Sequence, residues 1–305
     1  MPAIESAGKL LARASSRTEV RPGDGRSGSP ARASRSGASR VTADRYAGAG
    51  QRWAHGAMLV YGPIAAELVA MSPHPLGGRA VLDAGAGTGA ASSALAARGA
   101  HPVAVDLSFD MLAWNARARP PCAVADIRAL PVCAGSVDDA VAAFVLNHLP
   151  VPAAGLAEMI RVTRPRGAVL AAVFSNDSRS QARERVDAIA RDEGWQVPRW
   201  YAELKATAAV IGTARAMDVA ARTAGLTDVV VQERPVDVGV TEPGQLVRYR
   251  LGHPVFAGWL DRIGSRRAAA VARHAAASIR PVMRPYRPVV VFLAATTPAT
   301  SATTW

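Results

Sequence analysis

Apolar residues recur at two different spacings along this chain, and the changes between them mark out the elements. From Tyr46 onward, Trp53, Ala57, Tyr61, Ile64 and Leu68 fall three or four residues apart, which predicts one face of a helix. Gly62-Pro63 offers that helix a place to break and restart. Short apolar runs then alternate with helical stretches. Strands are predicted at 79–84, 102–106, 122–126, 139–146 and 168–174, with helices at 90–98, 109–119 and 153–163. Four of these strands are almost continuously apolar, as a parallel sheet covered by helices on both faces requires. After Ser175 the alternation stops. Helices at 183–195, 199–209 and 214–224 form a largely helical insertion, followed by a strand at 227–235, helices at 242–251 and 265–280, and a closing strand at 288–295. The expected fold class is α/β: a doubly wound, mostly parallel, seven-stranded sheet with helices on both faces and a helical insertion after strand five.

Residues 1–42 carry no apolar period. The stretch Arg21-Pro-Gly-Asp-Gly-Arg-Ser-Gly-Ser-Pro30 and the Arg/Ser-rich run after it would bury nothing on ordering, so a disordered tail is expected there and again at 299–305. An Arg/Ser-rich start is also what a transit peptide looks like, but its acids and weak apolar face argue against one. The expected domain is 43–298: amino-terminal helices or a lid at 43–72, the half with the glycine turn at 79–174, the insertion at 176–226, and closing strands and helices at 227–298. No apolar run approaches the ~18 residues of a membrane span, and without a secretory apolar region the expectation is a cytoplasmic protein.

Composition changes one part of this picture. The chain has 305 residues, 50% of them hydrophobic, which suffices for a large core and excludes a wholly disordered chain or a disulfide scaffold. Its two cysteines, Cys122 and Cys133, stand in no metal-ligand spacing. The net charge of +12 suggests a polyanionic partner until it is divided along the chain. Residues 1–45 hold nine basic and four acidic residues and 241–290 hold nine and two, which leaves the centre neutral. The chemistry is expected in that neutral centre.

The stretch Arg79-Ala-Val-Leu-Asp-Ala-Gly-Ala-Gly-Thr-Gly-Ala90 runs a strand into Gly85, Gly87 and Gly89 and then into a helix. Glycines there let the backbone turn tightly and approach a ligand. The spacing also fits a dinucleotide-binding turn, but Asp83 argues against that. A carboxylate two residues before the first glycine would repel a pyrophosphate and attract an ammonium or sulfonium. Asp83 ahead of three alternate glycines resembles the cofactor loop of class I S-adenosylmethionine-dependent methyltransferases, a Rossmann-like family. Further motifs extend the resemblance over about 46–174: Asp106 at the end of strand two, Asp126-Ile127 at the end of strand three, Leu130-Pro-Val-Cys-Ala-Gly-Ser-Val-Asp138, Asn147-His148-Leu149-Pro150 and Arg164-Pro-Arg-Gly167. In the last of these, Arg166 replaces a usual glycine. By pattern, the small-molecule methyltransferases of ubiquinone and menaquinone biosynthesis are the nearest type.

The resemblance implies S-adenosyl-L-methionine as cofactor, held by Asp83, Gly85, Ala86, Gly87 and Gly89 at the turn. It implies Asp106 at the ribose hydroxyls, Asp126 at the adenine amino group, Asn147 at the methionine end, and Leu107, Met111 and Ile127 also against the cofactor. Singly, each aspartate is an ordinary helix cap or turn former; three at successive strand ends are not. His148 is the candidate catalytic base, because histidine titrates near neutrality; packing there or capping the next turn is the competing reading. No metal is expected.

The aromatics Tyr46, Trp53, Tyr61, Phe174, Trp195, Trp200 and Tyr201 flank the predicted site and suggest an apolar, lidded pocket for a small acceptor, aromatic or isoprenoid-like. As plain helix-core residues they would fit the same pattern. An RNA or nucleic-acid methyltransferase is the alternative, with Arg262, Arg266, Arg273 and Arg280 on one helix face. A solvated face explains that spacing too. A non-catalytic cofactor-binding protein and an NAD-dependent oxidoreductase complete the alternatives. Oligomeric state is not legible.

Overall fold

The computed structural model describes residues 50–300; the tail expected over 1–42, Tyr46 and residues 301–305 lie outside the described residues. Seven strands form one sheet: β1 (Ala80–Ala84), β2 (His101–Asp106), β3 (Cys122–Val124), β4 (Asp139–Ala143), β5 (Ala168–Phe174), β6 (Thr227–Pro235) and β7 (Val289–Thr296). Their order is β3-β2-β1-β4-β5-β7-β6, with β7 antiparallel to both neighbours and the others parallel. The order reverses between β1 and β4, and there the carboxyl ends of the strands open a crevice.

Strand alternation divides the core between the two faces. Val81, Val141, Leu170 and Ala172 join one cluster, whereas Leu82, Ala140, Val169, Ala171 and Val173 join the other. On the first face lie α1 (Gly50–Ala70) and α2 (Ala90–Ala96). On the second lie α4 (Pro152–Val162) and α7 (Ala214–Ala224). Being packed on β6 and β7, α7 is part of the sheet's covering layer rather than of the insertion expected at 176–226. Its neighbours in sequence, α5 (Gln181–Asp192) and α6 (Arg199–Ala209), stand away from the sheet. Between β6 and β7, α8 (Pro243–Leu251) and α9 (Pro254–Ile279) pack on α1 and α5. A roof over the crevice is thus assembled from separate parts of the chain.

Three elements depart from expectation. The break at Gly62-Pro63 is absent, and α1 runs through Pro63. Proline in a helix interior costs about 3 kcal/mol; here Val60, Ile64 and Leu68, all fully buried around it, offset that cost. The helix expected over 109–119 ends early. Only α3 (Phe109–Ala113) forms, then Trp114 is extended, Asn115 turns left-handed at φ 51° and a single 3-10 turn follows at Ala116–Ala118. Asparagine tolerates that conformation, and the turn brings Arg119 back against the glycine loop. Finally, α9 starts well before residue 265 and is interrupted at Gly264 (φ 75°), so Arg262 lies across a break from Arg266, Arg273 and Arg280.

The end of the sheet opposite the crevice is fastened by charge. Buried Asp139 accepts from Arg79 Nε at 2.5 Å and Nη2 at 2.8 Å, and from the Ala168 amide at 2.7 Å. Asp138 accepts from the Ala80 amide at 2.8 Å and from Arg164. These bonds tie β1, β4 and β5 together at their amino-terminal ends.

Candidate active site

A cavity of about 830 Å³ opens at the carboxyl ends of the strands, under the roof. Its sheet-side half is built on the turn after β1. Gly85 is left-handed at φ 75°, and a Cβ there would lie 2.4 Å from the Cβ of Val145, so only glycine lets this turn approach the loop after β4. The Gly85 and Ala86 amides both donate to the Val105 carbonyl, at 2.8 and 2.9 Å, which fixes the turn beside β2.

Asp83 points to the α2 face of the sheet and is fully buried. Its Oδ2 accepts from Ser92 Oγ at 2.6 Å, while Oδ1 is buried with no hydrogen-bond partner among the described residues. Burial pushes the carboxyl up to about 6 in spite of the Ser92 bond and of Arg119 nearby. Asp106 ends β2; its Oδ2 accepts from the Gly87 amide and its Oδ1 from the Ser108 amide, both at 2.8 Å. Burial raises this carboxyl too, opposed by those amides and by Arg119. Each oxygen retains a lone pair for a further donor.

Asp126 stands two residues beyond β3 rather than in it, and Arg128 donates to its two oxygens from Nε and Nη2, at 3.0 and 2.7 Å. Beside it Ile127 is buried. Asn147 and His148 lie in a 3-10 turn after β4, not in the strand, and the His148 amide donates to the Val145 carbonyl at 2.9 Å. Like the Asp83 Oδ1, the Asn147 Oδ1 is buried without a hydrogen-bond partner among the described residues. The structure brings Asp83, Gly85, Ala86, Gly87, Asp106, Leu107, Met111, Asp126, Ile127, Asn147 and His148 to one cavity. Gly89 is not in its lining: it caps the start of α2 at φ 98°, beside Arg119.

The roof-side half is aromatic. The Tyr61 ring on α1 lies 4.6 Å from Phe144 and 5.7 Å from Phe174, with Trp53 at 5.1 Å and Tyr249 at 6.4 Å. His253 sits 4.9 Å from both Trp53 and Tyr249. Of the aromatics expected here, Trp53, Tyr61, Phe174 and Tyr201 line the cavity. Trp195 does not; it is buried against Phe256 at 4.3 Å, and its indole N–H donates to the Val255 carbonyl. Trp200 is likewise outside the lining, packed edge-on to Tyr201.

Sequence reasoning missed Phe144, Arg119, Arg183, Tyr249, Arg250 and His253. Phe144 holds φ 62°, a conformation a bulky residue seldom adopts, at the strand end that faces the crevice. Arg119 donates to the Gly87 and Met111 carbonyls, both at 2.8 Å, and so braces the glycine turn from below. Only the position of Phe144 just past an apolar strand was a usable signal. The others come from helices or a turn whose placement is tertiary.

The family model described as "Methyltransferase domain" matches residues 82–171. That stretch runs from the acid of the glycine turn to the middle of β5. Over those residues the chain is similar to the methyltransferase-domain family. It is 42% identical over 112 residues to a demethylmenaquinone methyltransferase of Beutenbergia cavernae, which covers 36% of this chain and 46% of that protein. A demethylmenaquinone methyltransferase of Renibacterium salmoninarum is 41% identical over 101 residues, covering 32% and 43%. The chain thus spans less than half the length of these curated relatives. A chain from the Haloferax volcanii complex between the Trm112 methyltransferase activator and a candidate methyltransferase superposes with a TM-score of 0.51 at 18% identity, over 85% of this chain and 98% of that one. The two chains share this fold. Among the described residues, no helix is long and apolar enough to cross a membrane.

Proposed function

We propose that the protein binds S-adenosyl-L-methionine at the glycine turn and moves its methyl group to a small-molecule acceptor held under the aromatic roof. The observation that carries this reading is the buried, unpartnered Oδ1 of Asp83 beside a turn that only glycine can make. A carboxylate kept dry and incompletely satisfied fits a cationic ligand and opposes a phosphorylated one. Partial identity to demethylmenaquinone methyltransferases supports the same class of chemistry.

In this reading Asp83 and the Asn147 carbonyl oxygen receive the amino-acid end of the cofactor. Asp106 accepts the ribose hydroxyls on the lone pairs its two amide partners leave free, with Leu107 and Met111 alongside. Asp126 takes the adenine amino group in competition with Arg128, and Ile127 covers the ring. The bound sulfonium supplies an already activated methyl, so the chain's work is alignment and exclusion of water. Where the acceptor is a hydroxyl, His148 takes its proton.

The reading is tested by thermal unfolding with and without S-adenosyl-L-methionine. The native protein should be stabilised, and Asp106→Ala should fold yet lose the effect. Stabilisation that survives in Asp106→Ala counts against the site. With an acceptor in hand, His148→Ala should lower turnover about 100-fold and leave cofactor affinity intact. Full activity would remove His148 from the mechanism.

A further inference from the structure

The two halves of the cavity carry opposite charge. On the sheet side stand the carboxylates of the glycine turn. On the roof side the charged groups are Arg183 from α5 and Asp187 one turn later, both half-buried, and Arg250 from α8, which is buried. Arg250 is 5% exposed and donates from Nε and Nη2 to the two oxygens of Asp187, at 2.6 and 2.8 Å, so the charge of that carboxylate is matched by Arg250. Arg183 has no such partner: no carboxylate lies within ion-pair distance of it among the described residues. Its Nη2 donates to the Ser178 carbonyl at 3.0 Å, and its Nη1 reaches the Tyr286 hydroxyl only at 3.5 Å.

The surroundings do not supply the missing negative charge. Tyr249 is held in its neutral form by burial. Burial, with Arg250 and Arg183 nearby, keeps His253 well below its usual titration range, and its buried Nε2 finds no hydrogen-bond partner among the described residues. The remaining charged groups on this side, Arg179, Glu184, Glu203 and Lys205, are exposed at the mouth, where water screens them. The roof side therefore holds one guanidinium in excess, in a cavity that Tyr61, Phe174 and Tyr249 also line. A half-buried cation with no ion-pair partner has lost part of its hydration, which an anionic ligand would replace.

Building on the methyltransferase reading of the cavity, we propose that Arg183 is the counter-ion for a carboxylate carried by the acceptor. Substrates of this site are then acids with a flat apolar body. Neutral analogues lack the ion pair, and cationic ones meet both Arg183 and the sulfonium of the donor. A planar carboxylate can accept both Nη donors at once, and the unpartnered Nε2 of His253 offers a neutral contact nearby.

The test uses two isosteric fluorescent compounds, 6-hydroxy-2-naphthoate and 6-hydroxy-2-naphthamide, titrated into the protein saturated with S-adenosylhomocysteine. The naphthoate should bind about tenfold or more tightly than the amide. Arg183→Met should remove that preference while the amide's affinity changes less than about twofold, and Arg183→Lys should keep part of it. Equal binding of the two compounds, no binding of either, or a preference that survives in Arg183→Met overturns the proposal. The thermal shift from S-adenosylhomocysteine is read separately on the same samples. Loss of that shift in the native protein defeats the methyltransferase reading, while the naphthoate preference of the ligand-free protein still reports on Arg183.

Discussion

Asp83 shows how one side chain can work against the fold that holds it. Its carboxyl titrates at about 6 in the folded protein against 3.8 for the free side chain, and about two units correspond to about 3 kcal/mol. Because the folded value is raised, the fold favours the protonated form. That contribution is complete below about pH 4 and is lost as the pH rises through about 6. At pH 7.5 the ionised Asp83 destabilises the ligand-free protein. Asp83→Asn keeps an acceptor for Ser92 and should raise the melting temperature at pH 7.5 by several degrees, about 1–3 kcal/mol, with the gain fading by pH 4.5. The same variant should bind S-adenosyl-L-methionine about 10–100-fold more weakly. In the native protein, affinity should fall as the pH drops below 6, because a proton then competes with the ligand's cation. Calorimetric titration at pH 5 and 7.5 reads both effects. A variant no more stable at pH 7.5, or a native affinity indifferent to pH, would refute this account. Asp83 was legible in the sequence because strand direction and the glycines fix where its side chain goes. Arg183 was not, because a single arginine in a polar helix acquires meaning only when α5 is laid over the cavity.

Among the elements, the turn between α4 and β5 shows a local rule broken at a modest cost. Arg166 occupies a turn position whose backbone is left-handed at φ 61°, a conformation that favours glycine. Its side chain is exposed, while its amide and carbonyl serve Thr297 and His74. Arg166→Gly relieves a strain of about 1–2 kcal/mol and gives back part of it through the freer unfolded chain. A net gain of about 0.5–1 kcal/mol in urea unfolding is expected, with ligand binding unchanged; equal or lower stability would mean the turn is unstrained. Most strands and the helices at 199–209 and 214–224 were readable because an apolar period is set locally. The exceptions share a cause. Pro63 sits unbroken inside α1 because burial around it outweighs the lost hydrogen bond, and the 109–119 helix stops at Trp114 because Arg119 is drawn to the Gly87 carbonyl. In both places a contact distant in sequence overrode the local pattern.

At the scale of the molecule, the sheet separates cohesion from chemistry. Its amino-terminal end holds paired charges: Asp139 with Arg79, and Asp138 with Arg164. Its carboxyl end holds charges left partly unsatisfied: Asp83, and Arg183 above it. Open α/β sheets bind ligands at the second of these ends, so stability there can be given up only if the first end is secure. Asp139→Ala removes the acceptor of Arg79 and strands the buried Ala168 amide, for which about 3 kcal/mol is expected because Arg79 is itself partly exposed. If the two ends are independent, the variant should unfold at distinctly lower urea while the folded fraction binds S-adenosylhomocysteine within about twofold of the native affinity, since neither Asp139 nor its partners Arg79 and Ala168 line the cavity. Asp83→Asn should do the reverse, gaining stability and losing affinity. Should Asp139→Ala weaken binding as much as stability, the strands transmit strain along their length, and the division of labour between the two ends of the sheet would have to be abandoned.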